Sequence, residues 1–521
     1  MTSLIARLPG GPITKAAVLA VALAVLGAAV WTGIVLFGPD PACGKGIEER
    51  GPEGARECTG VTDGSFVFAP NLKEVSARIK AENDRIAKEP HVSVAVMLPM
   101  APVQGFEQRK TLHEVQGAYL AQYRANHESN SKKPAIRLLL ANPGRSHAHW
   151  KPVAEQLGSM SESTTDNLRA VIGFDVSTAT TQAAIGYLTR ERGIPVVGGP
   201  ITADDSGNSA ARPHAYPGLA RVVPTTTDQA KALSHFNKGI DPRHTLVVED
   251  IRTGDNYVDA LKRAFAERTL GSPRAPEQYR APDEFHEEGT TANAFDQMVD
   301  TICTSAAKVI YFAGRPVQLR QFINELGNRG CTEKEYTVIT GSGASTLSSD
   351  KLLDWDAFRK GVTLQYAAVA HPDAWTGPTA PATGGSATAF RTLAALATGE
   401  EVGNIGPVEL TDSRTITFYD AGLTAITAIR MRDDHDPVIP TLGRIRDAWL
   451  RLHGMGRVDG ASGWICLDNY GNPYNKAVSV VELAPDAPGR IRFVGLAWPT
   501  GRPTPADCTA SRTDTGAAPS R

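Results

Sequence analysis

The sequence lacks the short motifs that mark most hydrolases and nucleotide-using enzymes. It contains no G-x-S-x-G nucleophile turn, no phosphate-binding P-loop and no H-E-x-x-H helix. It also lacks an excess of charge, since 54 Lys and Arg side chains are balanced by 56 Asp and Glu side chains. A net charge of -2 gives no attraction for nucleic acid or anionic lipid. We therefore expect a protein that binds a small molecule or a protein partner, with no catalysis, no cofactor and no nucleic acid.

One long apolar run near the N-terminus is the exception in an otherwise ordinary globular composition. Residues 16–37 contain no charged side chain, and a helix of this length crosses a hydrocarbon core. Arg7 and Lys15 precede the run, so the positive-inside bias keeps residues 1–15 cytoplasmic. A cleaved signal peptide is the alternative, although its apolar region would be unusually long. We favour a single-pass membrane anchor, with residues 38–90 as an extracytoplasmic spacer.

Cysteine is scarce, and its spacing does not fit a zinc site. The chain has six cysteines and no C-x-x-C pair, and all six follow the apolar run. An even number of cysteines in an oxidising compartment favours disulfides. Pairing of neighbours is the simplest arrangement: Cys43 with Cys58, Cys303 with Cys331, and Cys466 with Cys508. His147 and His149 lack further ligands at a defined spacing, so we interpret them as exposed polar residues and predict no metal site.

Short apolar runs alternate with amphipathic stretches through most of the remaining chain. This alternation predicts an α/β fold of two Rossmann-like lobes, each with a parallel sheet covered by helices on both faces, joined by a multi-strand hinge. We assign residues 91–224 and about 341–455 to the first lobe. Residues 225–340 and about 456–498 form the second lobe. Residues 499–521, rich in Pro, Thr, Ala and Ser, are expected to be a disordered tail.

Three segments of the sequence together resemble a known family. They are AVIGFDVSTATTQAAIGYLTRERGIPVVGGPIT at 170–202, RVVPTTTDQAKAL at 221–233 and GASGWICLDNYGNPYNK at 460–476. In this order and spacing they resemble the branched-chain amino-acid-binding (Leu/Ile/Val-binding-like) family of type I periplasmic binding proteins, which are substrate-binding proteins of ABC transporters. The resemblance implies two lobes that close on a small ligand by bending at a hinge.

Candidate ligand contacts in the first lobe follow from the resemblance and from the tendency of ligands to bind at the carboxyl ends of parallel strands. Ser177 and Thr178 lie between a predicted strand and a helix, where a hydroxyl and free N–H groups can hold an anionic oxygen. Helix capping alone is the alternative. Pro200 and Thr202 correspond to the second ligand loop of the family, although a turn of this composition needs no function.

The second lobe departs from the family pattern. Thr253 and Gly254 stand where the family commonly has a Tyr-Gly pair that closes over the ligand. Gln318 stands, within one or two residues, where amino-acid binders place an acid to meet the ligand ammonium. A neutral amide beside Arg315 is a poor partner for a buried ammonium, so the ligand is expected not to be a simple free amino acid. A solvated residue at a helix start is the alternative for Arg315.

Two functions remain open from the sequence. The first is an extracytoplasmic receptor that passes its ligand to an ABC-type permease. The second is a membrane-tethered ligand sensor or interaction protein that uses the same fold without transport. Neighbouring permease and ATPase genes would favour the first function, and a neighbouring kinase would favour the second.

Overall fold

The computed structural model describes residues 43–128, 133–284, 287–431 and 437–508. The expected anchor at 16–37 and residues 509–521 of the expected tail lie outside these ranges. Within them, no helix has the length and apolar character needed to cross a bilayer. The predicted anchor is therefore untested.

The first sheet contains seven strands of the described chain. They are β1 (Ile47–Arg50), β2 (Glu57–Thr62), β3 (His91–Met97), β4 (Ala135–Asn142), β5 (Leu168–Gly173), β6 (Val196–Gly198) and β7 (Leu219–Arg221). Their order across the sheet is β1-β2-β4-β3-β5-β6-β7. The five strands from β4 to β7 in this order are parallel, whereas β2 pairs antiparallel with both β4 and β1.

The second sheet has the same construction with its antiparallel pair on the other edge. Its strands are β8 (Thr245–Asp250), β9 (Glu277–Tyr279), β10 (Val309–Ala313), β11 (Tyr336–Thr340), β12 (Val362–Ala368), β15 (Val478–Leu483) and β16 (Ile491–Ala497). Two further strands, β13 (Val458–Gly460) and β14 (Gly463–Ile465), form a separate hairpin. The order is β16-β15-β12-β11-β10-β8-β9. The strands from β12 to β9 are parallel, and β15 and β16 are antiparallel additions.

Helices cover both faces of each sheet. In chain order they are α1 (Lys73–Arg85), α2 (Gly105–His127), α3 (Trp150–Glu162), α4 (Ala179–Gly186), α5 (Thr226–Phe236), α6 (Asn256–Arg268), α7 (Thr291–Thr304), α8 (Pro316–Gly327), α9 (Asp356–Arg359), α10 (Asp373–Thr376), α11 (Ala387–Thr398), α12 (Arg414–Arg430) and α13 (Leu442–Ala448). Alternate residues of one strand therefore enter different cores. Val94 and Val96 of β3 pack into the core beneath α2, while Ala95 and Met97 pack into the core on the other face. This two-sided burial explains the continuous apolar runs.

The late helix α12 returns to the first lobe and packs directly against α2. Two glycines permit the close approach of the helix backbones. A Cβ atom added at Gly117 of α2 would overlap the carbonyl oxygen of Thr415, and one added at Gly422 of α12 would lie 2.6 Å from the Cβ of Ala121. The first lobe is thus completed by a segment about 300 residues downstream of α2 in the chain.

Residues 43–90 belong to the first lobe and do not form the spacer that the sequence suggests. The β1–β2 hairpin extends the sheet at the β4 edge, and α1 buries Val75 and Ile79 in the main core. The hairpin was hidden in the sequence because its strands are short and partly polar, reading IEER and ECTGVT.

The lobe boundaries also differ from the prediction near residue 341. The chain stays in the second lobe through β12, which pairs in parallel with β11, and so returns to the first lobe only after residue 368. Residues 458–467 contribute Val458 and Ile465 to the first-lobe core before β15 and β16 rejoin the second sheet. The tail is ordered further than expected, since Thr504 is buried and Cys508 is cross-linked.

The six cysteines form the three pairs that the sequence predicts. The Cα atoms are 5.6 Å apart in Cys43–Cys58, 5.7 Å apart in Cys303–Cys331 and 5.8 Å apart in Cys466–Cys508. Each distance lies in the usual range for a disulfide.

Candidate functional site

A cleft lies between the lobes at the carboxyl ends of both parallel sheets. Each sheet has the strand order 2-1-3-4-5 among its five parallel strands, so the crossover direction reverses between the first and third of them. Ligands bind at this reversal in open α/β sheets. The segment 175–177 follows β5 at the first reversal, and Arg315 follows β10 at the second. Both segments line the cleft.

Three of the four first-lobe candidates line this cleft, namely Ser177, Pro200 and Thr202. The Ser177 hydroxyl accepts a 3.3 Å hydrogen bond from the Ala203 N–H, which joins the loops that follow β5 and β6. Thr178 is not in the lining. It begins α4, where its hydroxyl accepts a 3.2 Å hydrogen bond from the N–H of Thr181. The capping alternative therefore describes Thr178, while Ser177 faces the cleft.

The two second-lobe candidates do not reach the cleft. Thr253 is exposed, and the adjacent Gly254 adopts a positive φ of 84° that places its carbonyl 3.5 Å from the N–H of Ala179. Gln318 is buried in the first turn of α8, where its Nε2 donates a 2.8 Å hydrogen bond to the Glu287 carbonyl. Pro316 begins α8 directly after the loop that follows β10, so Gln318 lies within the helix and not in that loop.

Arg315, for which a solvated position was the alternative, is a buried member of the cleft. Its Nε and Nη2 each lie 2.7 Å from the Asp255 carboxylate, and Arg252 Nη2 lies 2.6 Å from the same group. Burial alone would raise the pKa of Asp255, but the charges and hydrogen bonds of Arg315 and Arg252 outweigh it and lower that pKa. The Arg315 guanidinium also stacks 4.9 Å from the centroid of the Tyr257 ring.

Tyr257 is a second-lobe residue of the cleft lining that the sequence analysis did not single out. It lies in the first turn of α6, where its hydroxyl accepts a 3.0 Å hydrogen bond from the N–H of Gly343. Burial raises the pKa of Tyr257 to about 12, so the hydroxyl stays protonated. A tyrosine in the first turn of an amphipathic helix has no local sequence signal that distinguishes it from a core residue.

The first lobe contributes a buried ionic cluster from the start of α2. Lys110 Nζ lies 3.1 Å from Glu107 and 2.5 Å from Asp175, and Arg414 lies 3.4 Å from Glu114. Burial would raise the pKa of Asp175, but Lys110 and His147 lower it to about 2. Burial raises the pKa of Glu114 to about 8, because its attraction to Lys110 only partly offsets desolvation. The spacing of Glu107, Lys110 and Glu114 on one helical face was the available sequence signal.

The lobes are in contact across the cleft. The Ser177 carbonyl accepts a 3.3 Å hydrogen bond from the Tyr257 N–H and a 3.1 Å hydrogen bond from Arg315 Nη2. Arg414 Nη2 lies 3.0 Å from the Ser345 hydroxyl. These contacts enclose what we call the central cavity, lined by Ser177, Thr202, Tyr257, Arg315 and their neighbours, with a volume of about 50 Å³. The structure thus shows the lobes closed.

His147 is buried, contrary to the expectation of an exposed position. Its ring stacks on Phe174 at 6.3 Å, and Nε2 lies 3.5 Å from Asp175. Across the described ranges, no three His, Cys, Asp or Glu side chains converge in a way that could hold a metal ion.

Solved structures that this chain resembles include solute-binding proteins. The leucine-binding protein LivK of Thermotoga maritima shares 18% identity over 78% of this chain and 98% of its own, with a TM-score of 0.54. LivJ of Streptococcus pneumoniae, solved with isoleucine, shares 14% over 78% of this chain and 99% of its own, with a TM-score of 0.53. A Rhodopseudomonas palustris solute-binding protein, solved with 4-hydroxybenzoate, shares 13% over 78% and 96%, with a TM-score of 0.55.

At the level of sequence, no protein-family model and no curated protein matches the chain. Identities below one fifth establish the fold and not the ligand. The chain has the type I periplasmic binding fold, which confirms the predicted α/β architecture of two mainly parallel sheets, while the transmembrane helix stays a prediction.

Proposed function

We propose that the chain is an extracytoplasmic solute-binding receptor that closes two lobes on a small polar molecule and delivers it to an ABC-type membrane permease. The single observation that supports the proposal most strongly is the cleft at the strand-order reversal of both sheets, closed by hydrogen bonds from both lobes. Such a cleft converts ligand contacts into closure, because a ligand that touches both lobes stabilises only the closed state.

The proposed location is outside the cytoplasm, on a single-pass anchor formed by residues 16–37. Three disulfides fit an oxidising compartment. The apolar run and its preceding basic residues fit an N-terminus that stays inside.

Ser177, Pro200 and Thr202 are the proposed first-lobe ligand contacts, and Tyr257 and Arg315 are the proposed second-lobe contacts. A simple free amino acid is not the proposed ligand. The carboxylates nearest the central cavity are already paired, since Glu107 and Asp175 both meet Lys110. Asp255 is likewise paired with Arg315. A ligand ammonium would have to displace one of these cations at a desolvated site.

The proposal is tested by a thermal-shift screen of the purified full chain against branched-chain amino acids, amides, aromatic acids and amines. We expect at least one solute to raise Tm with a concentration dependence that fits a single site, because binding to the native state stabilises it by mass action. Small-angle scattering should show a smaller radius of gyration with that solute bound.

Thr202→Val provides the site-directed test. It removes a hydroxyl from the cleft lining while preserving side-chain volume, so we expect about tenfold weaker binding of the identified solute. Thr253→Val changes an exposed threonine of the same chain outside the lining and should bind as the parent does. A screen in which no solute shifts Tm, or a solute whose binding Thr202→Val leaves intact while Thr253→Val weakens it, would reject the proposed cleft function.

A further inference from the structure

The three family-like segments of the sequence meet at one buried side chain, that of Arg221. Arg221 ends β7 and is only 1% exposed. Its Nη1 donates a 2.8 Å hydrogen bond to the carbonyl of Ala203, the residue directly after the 170–202 segment. Its Nε and Nη2 donate to Oδ1 of Asn472, in the 460–476 segment, at 2.9 Å and 2.6 Å. One guanidinium therefore joins parts of the chain that are 251 residues apart.

Asn472 closes a tight turn at residues 468–472, which we call the 468–472 turn. Its N–H donates a 2.9 Å hydrogen bond to the Asp468 carboxylate, and the Asp468 N–H donates a 2.8 Å hydrogen bond to the Asn472 carbonyl. The Gly471 carbonyl accepts a 2.8 Å hydrogen bond from the Arg221 N–H. A Cβ atom added at Gly471 would lie 2.2 Å from a carbonyl oxygen of β7, so the turn packs directly on that strand. The turn thus holds the Asn472 amide at a fixed place beside β7.

Arg221 and the 468–472 turn both lie where the chain leaves the first lobe. After Arg221, residues 222–225 lead to α5, which packs against α6 and β16 of the second lobe. After the turn, residues 473–477 lead to β15 of the second sheet. The bond between Arg221 and Asn472 therefore ties together the first-lobe ends of two connections between the lobes.

The same guanidinium fixes the loop that carries Thr202. The Ala203 N–H donates a 3.3 Å hydrogen bond to the Ser177 hydroxyl, and the Ala203 carbonyl accepts the bond from Arg221. The Thr202 carbonyl accepts a 2.8 Å hydrogen bond from the Thr226 N–H. Each polar main-chain group from the Thr202 carbonyl to the Ala203 carbonyl therefore has a partner. The backbone from which the Thr202 side chain extends is held from three sides.

Arg221 acts on this loop and not on the cavity itself. The lining of the central cavity includes Thr202 but not Arg221. A later part of the loop also packs on Arg221, because a Cβ atom added at Gly207 would lie 2.7 Å from its Cζ. Asn472 Nδ2 donates a 2.9 Å hydrogen bond to the Asn208 carbonyl. The guanidinium and the 468–472 turn thus hold the loop at more than one place.

The surroundings of Arg221 indicate a role in geometry more than in stability. In the part of the chain that the structure describes, the guanidinium bonds to a main-chain carbonyl and a side-chain amide and to no carboxylate. Burial lowers the pKa of Arg221, and the attraction of Asp204 and Asp228 offsets that effect only in part. An apolar side chain would avoid the desolvation of a buried charge. A planar guanidinium, however, holds acceptors on two segments at once in fixed directions.

We infer that Arg221 is a positioning residue for the first-lobe ligand contacts: by bridging Ala203 and the 468–472 turn, it sets the direction in which the Thr202 side chain faces the cleft. The inference rests on the proposed receptor function and adds to it a residue outside the cavity lining. Because the bridge includes the segment that leads into β15, a change in the turn alters the ligand contacts without direct contact with them.

The first measurement is amide hydrogen exchange of the purified full chain without added solute. Asn472→Ala removes the acceptor of Arg221 Nε and Nη2, and Arg221→Lys keeps the charge but cannot bridge both acceptors. We expect residues 200–205 to exchange at least about tenfold faster in each variant, because the loop loses one of its anchors. Exchange in β3, at the centre of the same sheet, should be unchanged.

The second measurement is ligand affinity by calorimetry. The panel is leucine, isobutyramide, 4-hydroxybenzoate and cadaverine, and the solute that raises the Tm of the parent is titrated into each variant at a temperature where all of them are folded. We expect both variants to weaken binding at least about fivefold, because Thr202 is no longer held in one direction before binding. In a Thr202→Val background, Asn472→Ala should weaken binding less than it does in the parent, because a contact that the bridge positions is already absent.

Asn475→Ala is the matched control. Asn475 is a buried asparagine of the same segment, and its Nδ2 donates a 3.1 Å hydrogen bond to the Arg502 carbonyl. Its Oδ1 accepts a 3.1 Å hydrogen bond from the Thr500 N–H, so it holds the C-terminal residues and not the loop. The control should lower Tm while leaving affinity and the exchange of residues 200–205 as in the parent. Equal weakening in Asn475→Ala would show a general loss of stability and overturn the inference.

Failure of the inference is distinguishable from failure of the receptor. If the parent binds a panel solute and Asn472→Ala leaves loop exchange and affinity unchanged, the positioning role is wrong and the receptor function stands. Faster loop exchange with unchanged affinity, or full additivity with Thr202→Val, likewise rejects the positioning role. If the parent binds no panel solute, both are rejected.

Discussion

The two lobes have the same order of parallel strands, but the antiparallel strand pair is added at opposite edges of that order. In the first lobe the antiparallel hairpin β1–β2 joins the edge next to β4, the second strand of the 2-1-3-4-5 order. In the second lobe β15 and β16 join the edge next to β12, the fifth strand. The first of these positions places the hairpin turn, with Pro52 and Ala55, in the wall of a cavity that shares Glu107 and Asp175 with the cleft.

The lobes also stabilise their cleft charges differently. In the second lobe one carboxylate, that of Asp255, serves two guanidinium groups. In the first lobe one ammonium, that of Lys110, serves two carboxylates. Removing Asp255 leaves two buried guanidinium groups without their common carboxylate, whereas removing one of the two carboxylates that share Lys110 leaves the other in place. Substitution of one carboxylate in each lobe should therefore lower the free energy of unfolding by unequal amounts.

The largest expected effect is that of Asp255→Asn. It leaves Arg315 and Arg252 buried without their common carboxylate, and we expect the free energy of unfolding to fall by about 3–5 kcal/mol. Asp175→Asn should cost less, because Lys110 keeps Glu107 as a partner. Urea unfolding of both variants measures the difference. Equal losses would contradict the inequality between the lobes, and Asp356→Asn, in an exposed ion pair of the second lobe, serves as the surface control.

The next effect compares the disulfides of the two lobes. The Cys43–Cys58 pair spans 15 residues and the Cys303–Cys331 pair spans 28, so replacing either pair by serines should cost about 3–4 kcal/mol on the chain-entropy model. The two replacements should differ in binding. Loss of Cys43–Cys58 loosens the β1–β2 hairpin beside the cleft and should weaken binding of the solute that the thermal-shift screen identifies, while loss of Cys303–Cys331 should leave its affinity unchanged. Calorimetry under native conditions measures the ligand affinity of the two variants. Identical affinities would show that the β1–β2 hairpin does not contribute to binding.

The effect that is smallest over a single pH unit is a pH dependence that arises in the first lobe. The pKa of Glu114 is about 8 in the native chain and near 4.5 when unfolded, so between these pH values the unfolded chain has lost a proton that the native chain retains. Stability should therefore fall as pH rises through this window, by up to about 1.4 kcal/mol per pH unit.

Glu114→Gln should remove that slope, and the variant should be more stable than the parent near pH 8. Glu48→Gln, in the exposed part of the hairpin, should keep the slope of the parent. Chemical unfolding at several pH values measures both, and a parent whose stability does not fall between pH 5 and about 8 would contradict the assignment.

Much of the fold was accessible from sequence because its signals are local. Alternating apolar strands and amphipathic helices indicated two doubly wound sheets, and cysteine spacing indicated the three disulfides. The β1–β2 hairpin was not accessible, since four- and six-residue strands with polar positions become recognisable only through pairing with β4. The placement of β12 depended equally on a nonlocal partner.

The site was predictable where a residue follows directly from a strand end, and not where a distant partner decides its position. Ser177 and Thr202 reach the cleft because the loops that carry them leave the first sheet at its carboxyl edge. The burial of Arg315 depends on Asp255, 60 residues earlier, which no local pattern reveals. Tyr257 was missed for a related reason, since a helix and not a loop delivers it.

The meeting of the lobes at Ser177 has a consequence for how a receptor of the proposed kind can diverge. The N–H of Tyr257 donates to the Ser177 carbonyl, and the N–H of Ala179 donates to the Gly254 carbonyl. Both bonds belong to the main chain, so replacement of side chains around them leaves the groups in place. A homologue could therefore change its ligand by substituting the side chains that line the cleft, while keeping the main-chain contacts that hold the two lobes together.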